Sequence, residues 1–209
     1  MTARSPLVAF TLATLLALAA GEAFAQEFAY SGELGPAHWG ELDPSWGTCA
    51  TGEQQSPVDL GRRFERRRRF RGLALEYGPT EGEIFNNGHT IEVETEGENV
   101  LELGGVRYEL VQFHFHTPSE HRVAGRGFDM ELHLVHRSRQ GSLAVVGVFL
   151  RRGADSGALA PIFESLPDDV DVHHALEEEF DPAHFLPRSR VNYRYAGSLT
   201  TPPCTEGVR

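Results

Sequence analysis

The chain has 209 residues, of which 40% are hydrophobic and 23% are charged, and its formal net charge is −11. This length is typical of one domain that buries a real core. The acidic balance argues against broad nucleic-acid binding, because such binding depends on basic side chains that neutralise phosphates.

The first 25 residues have the pattern of a secretory signal peptide. An arginine at position 4 precedes an apolar run over residues 7–20, and Ala23 and Ala25 form a small-x-small cleavage site. The run is too short for a membrane anchor, and no later segment is apolar enough to span a bilayer. The pattern predicts removal of residues 1–25, one mature domain over residues 26–209, a periplasmic or secreted location and no membrane association after cleavage.

The only two cysteines, Cys49 and Cys204, both follow the predicted cleavage site. In an oxidising compartment two such cysteines are expected to pair. The alternative is a pair of buried thiols.

Residues 27–60 are rich in Gly, Pro and Trp and predict an irregular wrap. The arginine-rich run 62–71 suits either a polyanion site or, more commonly, a solvated edge. Strands are predicted at residues 73–77, 90–94, 106–110 and 143–150, with turn signals at 78–79 and 104–105. Short helices are predicted at residues 155–166 and 172–179. Because strand signals recur often and long helical patterns are few, the predicted fold class is mainly β. His173, His174 and His184 lie in acidic stretches that favour solvated side chains.

Three histidines form the most informative pattern of the chain. Successive side chains of a strand alternate between faces, so His114 and His116 point the same way. His133 lies on a second apolar run, residues 130–136, and the intervening residues 117–127 are rich in turn formers. The pattern predicts two neighbouring antiparallel strands that bring three imidazoles together.

Three histidines indicate a catalytic zinc site, because they leave the fourth position of a tetrahedral zinc open. Gln112 shares the face of His114, and Glu131 shares the face of His133. Both are placed to accept a hydrogen bond from the second ring nitrogen of a ligand. A single His-x-His in a strand is more often a surface or core pair, so the third histidine is what favours the metal.

A series of sequence blocks extends over nearly the whole chain after residue 25. They are YSG at 30–32, QSPVD at 55–59, NNGH at 86–89, QFHFH at 112–116, SEH at 119–121, ELHLVH at 131–136, LAVVG at 143–147 and SLTTPP at 198–203. In this order the blocks resemble the α-class carbonic anhydrases of the secreted bacterial type. The resemblance implies a single domain with a central twisted, largely antiparallel sheet, short peripheral helices and zinc at the bottom of a cleft.

The resemblance implies a zinc ion, one per chain, held by His114, His116 and His133. Gln112 and Glu131 match the groups that accept hydrogen bonds from His114 and His133. Cys49 and Cys204 match a disulfide common in the bacterial members.

The resemblance also implies catalytic roles for His89, Glu120 and Thr200. The Thr200 hydroxyl would accept a hydrogen bond from zinc-bound hydroxide and donate one to Glu120, which orients the nucleophile. His89 matches the proton shuttle, and Tyr30 and Asn87 match groups that order the connecting waters.

The implied reaction is the reversible hydration of carbon dioxide to bicarbonate and a proton, with zinc-bound hydroxide as the nucleophile. The implied substrate-binding residues are Val135, Val145, Leu199, Thr200 and Thr201. The expected partners are the small-molecule substrates and a second copy of the chain in a homodimer.

One departure from the family concerns the C-terminus. Family domains continue well past the Thr-Thr-Pro-Pro block, whereas this sequence stops at Arg209, so the C-terminal part of the domain is expected to be missing. An inactive truncated zinc-binding module is therefore one alternative. The other is a cupin-type metalloenzyme, because the spacing of His114, His116, Glu120 and Gly127 matches much of a cupin metal motif; no second motif follows.

Overall fold

The computed structural model describes residues 27–61, 66–67, 73–189 and 191–209. The predicted signal peptide, residues 1–25, lies outside the described residues. So does the arginine-rich run 62–71, apart from the backbone of residues 66–67. Predictions about these two segments therefore stay predictions.

Strands dominate the described part of the chain, as expected for a mainly β domain. They are β1 Arg66–Arg67, β2 Leu73–Glu76, β3 Gly82–Asn86, β4 Ile91–Thr95, β5 Val100–Leu103, β6 Val106–His116, β7 Met130–Ser138, β8 Leu143–Leu150, β9 His173–Ala175, β10 Asn192–Tyr193, β11 Gly197–Ser198 and β12 Glu206–Val208. The helices are α1 Trp39–Leu42, α2 Thr48–Thr51 and α3 Ala160–Glu164. Short 3-10 turns occupy Gly32–Leu34, Pro44–Trp46 and Pro182–Phe185. No helix among the described residues has the length and apolar character needed to cross a membrane.

The long strand β6 is the centre of the main antiparallel sheet. Along one side, its first half pairs with β5 and its second half with β4, and along the other side it pairs with β7. The sheet continues from β5 to β2, from β4 through β3 to β9, and from β7 to β8. A register irregularity between Leu110 and Gln112 separates the two halves of β6. The expected central, largely antiparallel sheet is confirmed.

The two faces of β6 and β7 have different surroundings. Phe113, Phe115, Leu132 and Leu134 point to one face and belong to the main core, where Phe113, Leu132 and Leu134 are fully buried. The alternate residues point to the other face. The core thus anchors both strands from behind, and the polar residues of the histidine pattern are carried on the opposite face.

The predicted helix over residues 172–179 is wrong, because this segment contains β9. His173 lies opposite Phe85 and Ala175 opposite Glu83 on β3, and the Leu176 N–H donates to the Gly82 carbonyl. Pairing with this sheet edge satisfies backbone groups of both segments, and it outweighs the weak local helix propensity. The other predicted helix, over 155–166, is present only as the short α3.

The segment before the sheet is a wrap of short helical turns, and it is tied to the far end of the chain. Cys49 and Cys204 form a disulfide across a sequence separation of 155. Close by, the Gln54 N–H and the Gln55 side-chain amide both donate to the Glu206 carboxylate. These contacts place the β11–β12 hairpin next to the wrap.

Candidate metal centre and its cleft

The register of β6 and β7 places His114 directly opposite His133. His116 lies opposite Glu131, and Gln112 lies opposite Val135. Directly opposed residues of an antiparallel pair project from the same face. The three histidines therefore share the face opposite the phenylalanine-rich core, as the alternation of the sequence predicts.

The three imidazoles form a compact cluster. Their ring centroids lie 4.9 Å apart for His114 and His116, 5.3 Å for His114 and His133, and 4.7 Å for His116 and His133. One nitrogen from each ring lies within 4.8 Å of the other two. His116 and His133 are buried. This spacing suits three ligands around one ion.

Contacts with neighbouring polar side chains leave one nitrogen of the His114 ring and one of the His133 ring for a metal. His114 Nδ1 lies 2.8 Å from Gln112 Oε1, and His133 Nε2 lies 3.1 Å from Glu131 Oε1. His116 Nε2 is buried and has no hydrogen-bond partner among the described residues. Burying an unpartnered nitrogen is costly, and a metal ion would compensate for it. The donor set therefore fits zinc, for which imidazole is a preferred ligand.

Burial keeps His114 and His116 in their neutral forms. It is the main reason that the pKa of His114 is lowered to about 2 and that of His116 to about 3, and the positive charge of a protonated His133 lowers both further. Metal ligands must be deprotonated, so rings that stay neutral at pH 7 are ready to bind without releasing a proton.

Glu131 connects the cluster to a buried polar network that sequence reasoning missed. Its Oε1 lies 2.8 Å from His121 Nδ1, and its Oε2 accepts from the His121 N–H at 2.9 Å. His121 Nε2 contacts the Tyr195 hydroxyl, which lies 2.8 Å from Ser56 Oγ. Burial would raise the pKa of Glu131, but hydrogen bonding from His121 and His133 outweighs it and holds the pKa below its ordinary value. His121 lies outside the strands, so no periodicity could reveal this role.

Glu120 and Thr200 lie beside the ligand nitrogens. Glu120 Oε2 is 3.5 Å from His116 Nε2 and 4.0 Å from His133 Nδ1. Burial raises the pKa of Glu120, while the charge of His133 and a hydrogen bond from Thr200 oppose the rise. The roles that the resemblance implies for Thr200 and Glu120 stay predictions.

A cavity of about 990 Å³ opens over the cluster. Its lining includes the five predicted substrate-binding residues, which are Val135, Val145, Leu199, Thr200 and Thr201. Val145 lies opposite Val135 in the β7–β8 pair. An apolar wall beside a buried polar cluster suits a small non-polar molecule that reacts at a polar centre.

The predicted shuttle, His89, is exposed on the turn between β3 and β4. Its ring stacks on Phe28 with centroids 3.9 Å apart, and it lies 6.3 Å from the Tyr30 ring. Burial, and then the charge of Glu120, raises the pKa of Tyr30 to about 12. Asn87 bonds to the backbone of the same turn and to Glu92. His89 therefore contacts both the N-terminal segment and the β3–β4 turn, and the shuttle and water-ordering functions stay predictions.

Comparison with known proteins agrees with this architecture. A family model described as "Eukaryotic-type carbonic anhydrase" matches residues 34–209. A carbonic anhydrase from Nostoc sp. is 42% identical over 183 residues, which cover 86% of this chain and 69% of that protein. One from Pectobacterium atrosepticum is 36% identical over 202 residues, covering 96% of this chain and 82% of that protein.

A solved structure gives the same result in three dimensions. The α-carbonic anhydrase from Thermovibrio ammonificans, solved with the inhibitor sulfanilamide, superposes with a TM-score of 0.84 at 38% identity. The superposition covers 88% of this chain and 82% of that one. This agreement argues against the alternative of a cupin-type metalloenzyme. The chain belongs to the eukaryotic-type, or α-class, carbonic anhydrase family.

Proposed function

We propose that this chain is a zinc-dependent carbonic anhydrase that acts in the periplasm or outside the cell. The observation that carries the proposal is the cluster of His114, His116 and His133, with one nitrogen of each within 4.8 Å of the others. Family membership supports carbon dioxide as the substrate. The predicted signal peptide and the Cys49–Cys204 disulfide support an oxidising compartment. A homodimer stays a prediction.

His114, His116 and His133 would hold the zinc ion. Zinc bound by three histidines lowers the pKa of a coordinated water to about 7, for which carbonic anhydrases are themselves the standard example. The contacts of Gln112 and Glu131 would orient the His114 and His133 rings and leave the other nitrogen of each ring for the zinc ion.

Thr200 and Glu120 would select the nucleophile by the direction of their hydrogen bond. A hydroxyl group has a single proton to donate, and Thr200 would donate it to the Glu120 carboxylate. Its oxygen can then only accept from a group in the cleft. Thr200 therefore favours a reactant with an O–H to donate, and it holds that reactant in one orientation.

The apolar wall would hold carbon dioxide without competing hydrogen bonds. Val135, Val145 and Leu199 line the cavity together with His133. Carbon dioxide has no net dipole, so an apolar surface takes it from water at little cost, whereas charged bicarbonate loses hydration there. The wall thus brings the substrate to the reacting centre and favours release of the product.

His89 would carry the proton from the cleft to the solvent. Histidine is the side-chain type whose charge changes between pH 5 and 8, and the His89 side chain is exposed. An exposed ring can exchange protons with buffer, which groups at the buried metal cluster cannot do directly.

Replacing His89 by alanine is expected to lower kcat by on the order of tenfold to a hundredfold in dilute buffer. The hydration step is untouched, so kcat/KM should change little. Small imidazole bases at high concentration should restore kcat. Stopped-flow measurement at several buffer concentrations tests this, with His184→Ala as the matched loss of an exposed histidine. A loss that is the same at all buffer concentrations contradicts the shuttle role.

A further inference from the structure

The turn that carries His89 is organised by the side chain of Asn87. Asn87 Oδ1 accepts from the backbone N–H of His89 at 3.0 Å and from that of Thr90 at 2.9 Å. The Asn87 N–H donates to the Thr90 carbonyl at 3.2 Å. The position of the Asn87 amide therefore decides where the His89 backbone lies.

Glu92 binds the other end of the same amide. Asn87 Nδ2 donates to Glu92 Oε2 at 3.2 Å. Glu92 lies on β4 directly opposite His114, so its half-buried carboxylate projects from the face that bears the metal cluster. Burial, and then the charge of Glu94, raises the pKa of Glu92 above its ordinary value, and the hydrogen bond from Asn87 offsets only part of this rise.

We propose that Glu92 is a positioning residue for proton transfer, because through Asn87 it fixes the turn from which His89 takes protons. This inference rests on the shuttle role proposed for His89. Glu92 itself need not accept the transferred proton. Glu92 orients the Asn87 amide, and the orientation of this amide sets the position of the His89 backbone.

The charge of Glu92 explains why the amide has one orientation. A carboxylate only accepts hydrogen bonds, so it selects the Asn87 NH₂ group over the Asn87 carbonyl oxygen. That leaves Oδ1 facing two backbone N–H groups that need an acceptor. A hydrogen bond to an ionised acceptor is also stronger than a neutral one. Without Glu92, the amide could rotate and leave both N–H groups without their acceptor.

Glu92→Ala is expected to lower kcat in dilute buffer by about threefold to tenfold, with kcat/KM unchanged, since only the position of the shuttle changes. Glu92→Gln keeps an oxygen that accepts from Asn87, but it lacks the charge and can also donate, so it should lower kcat less than Glu92→Ala does. Glu94→Ala removes the neighbouring like charge on the same face and should leave kcat unchanged. The measurement is stopped-flow hydration on the zinc-loaded full chain across buffer concentrations.

A second measurement follows the turn itself. Hydrogen exchange of the His89 and Thr90 backbone amides, observed by NMR, should become about threefold to tenfold faster in Glu92→Ala, because their acceptor is less well held. In an Asn87→Ala background, Glu92→Ala should have no further effect on kcat or on exchange.

Several outcomes would overturn the positioning role. They are an equal loss in Glu92→Gln and Glu92→Ala, an equal loss in kcat/KM, and a full effect of Glu92→Ala in the Asn87→Ala background. If His89→Ala lowers kcat in dilute buffer while Glu92→Ala does not, the shuttle stands and only the role of Glu92 fails. If His89→Ala has no buffer-dependent effect, the shuttle itself fails.

Discussion

His133→Ala is expected to lower the zinc affinity by more than about a hundredfold, beyond the 10–100-fold that changes around a metal ligand typically cost. His133 supplies one of the three nitrogens of the cluster, and Glu131 holds its ring. With two histidines left, the site no longer has the three protein ligands typical of catalytic zinc. Carbon dioxide hydration should fall with the bound metal.

Competition with a chromophoric chelator measures the zinc affinity, and elemental analysis gives the metal content of the purified protein. His174→Ala is the matched control, since it removes an exposed histidine on β9 outside the cluster. Circular dichroism should show that both variants are folded. An unchanged zinc affinity in folded His133→Ala would mean that the metal binds elsewhere.

Replacing Cys49 and Cys204 together by serine should lower the free energy of unfolding by on the order of 3–5 kcal/mol in the chain-entropy model. The bond closes a loop with a sequence separation of 155, so the unfolded chain gains much freedom when it is lost. The bond also anchors the segment between β11 and β12 that carries Thr200, where the Cys204 N–H donates to the Thr201 carbonyl. Activity should therefore become less resistant to heat.

Urea unfolding followed by circular dichroism measures this change. Thr51→Ser with Thr205→Ser is the control, because it changes neighbours of both cysteines and leaves the disulfide intact. The unreplaced protein in a reducing agent should resemble the serine variant. If the variant with both cysteines replaced by serine has the same unfolding midpoint as the disulfide-bonded protein, the prediction is wrong. Other contacts, such as those of Glu206, would then be enough to hold the two segments together.

Much of the sheet and the metal cluster is predictable from the sequence, because one physical rule governs both. Alternation along β6 separates Phe113 and Phe115 from His114 and His116, and the structure preserves that separation. Residues 143–150 are predicted with the same bounds as β8. Strong apolar periodicity is therefore enough to predict the central strands from the sequence.

Features set by partners distant in sequence are not predictable in this way. β3 and β5 escape sequence analysis, and β9 is mistaken for a helix, because pairing along the sheet decides their state. The contact of His121 with Glu131 and that of Asn87 with Glu92 join side chains across loops and turns. A single sequence contains no local pattern that reports such contacts.

The most direct test of the central claim is carbon dioxide hydration by stopped flow, on the purified chain from residue 26 to Arg209. The protein is stripped of metal and then assayed with and without one equivalent of zinc. We expect rapid hydration with zinc, none above the uncatalysed rate without it, and none in His133→Ala. Bound zinc without hydration would contradict the account and favour a zinc-binding module that is not an enzyme.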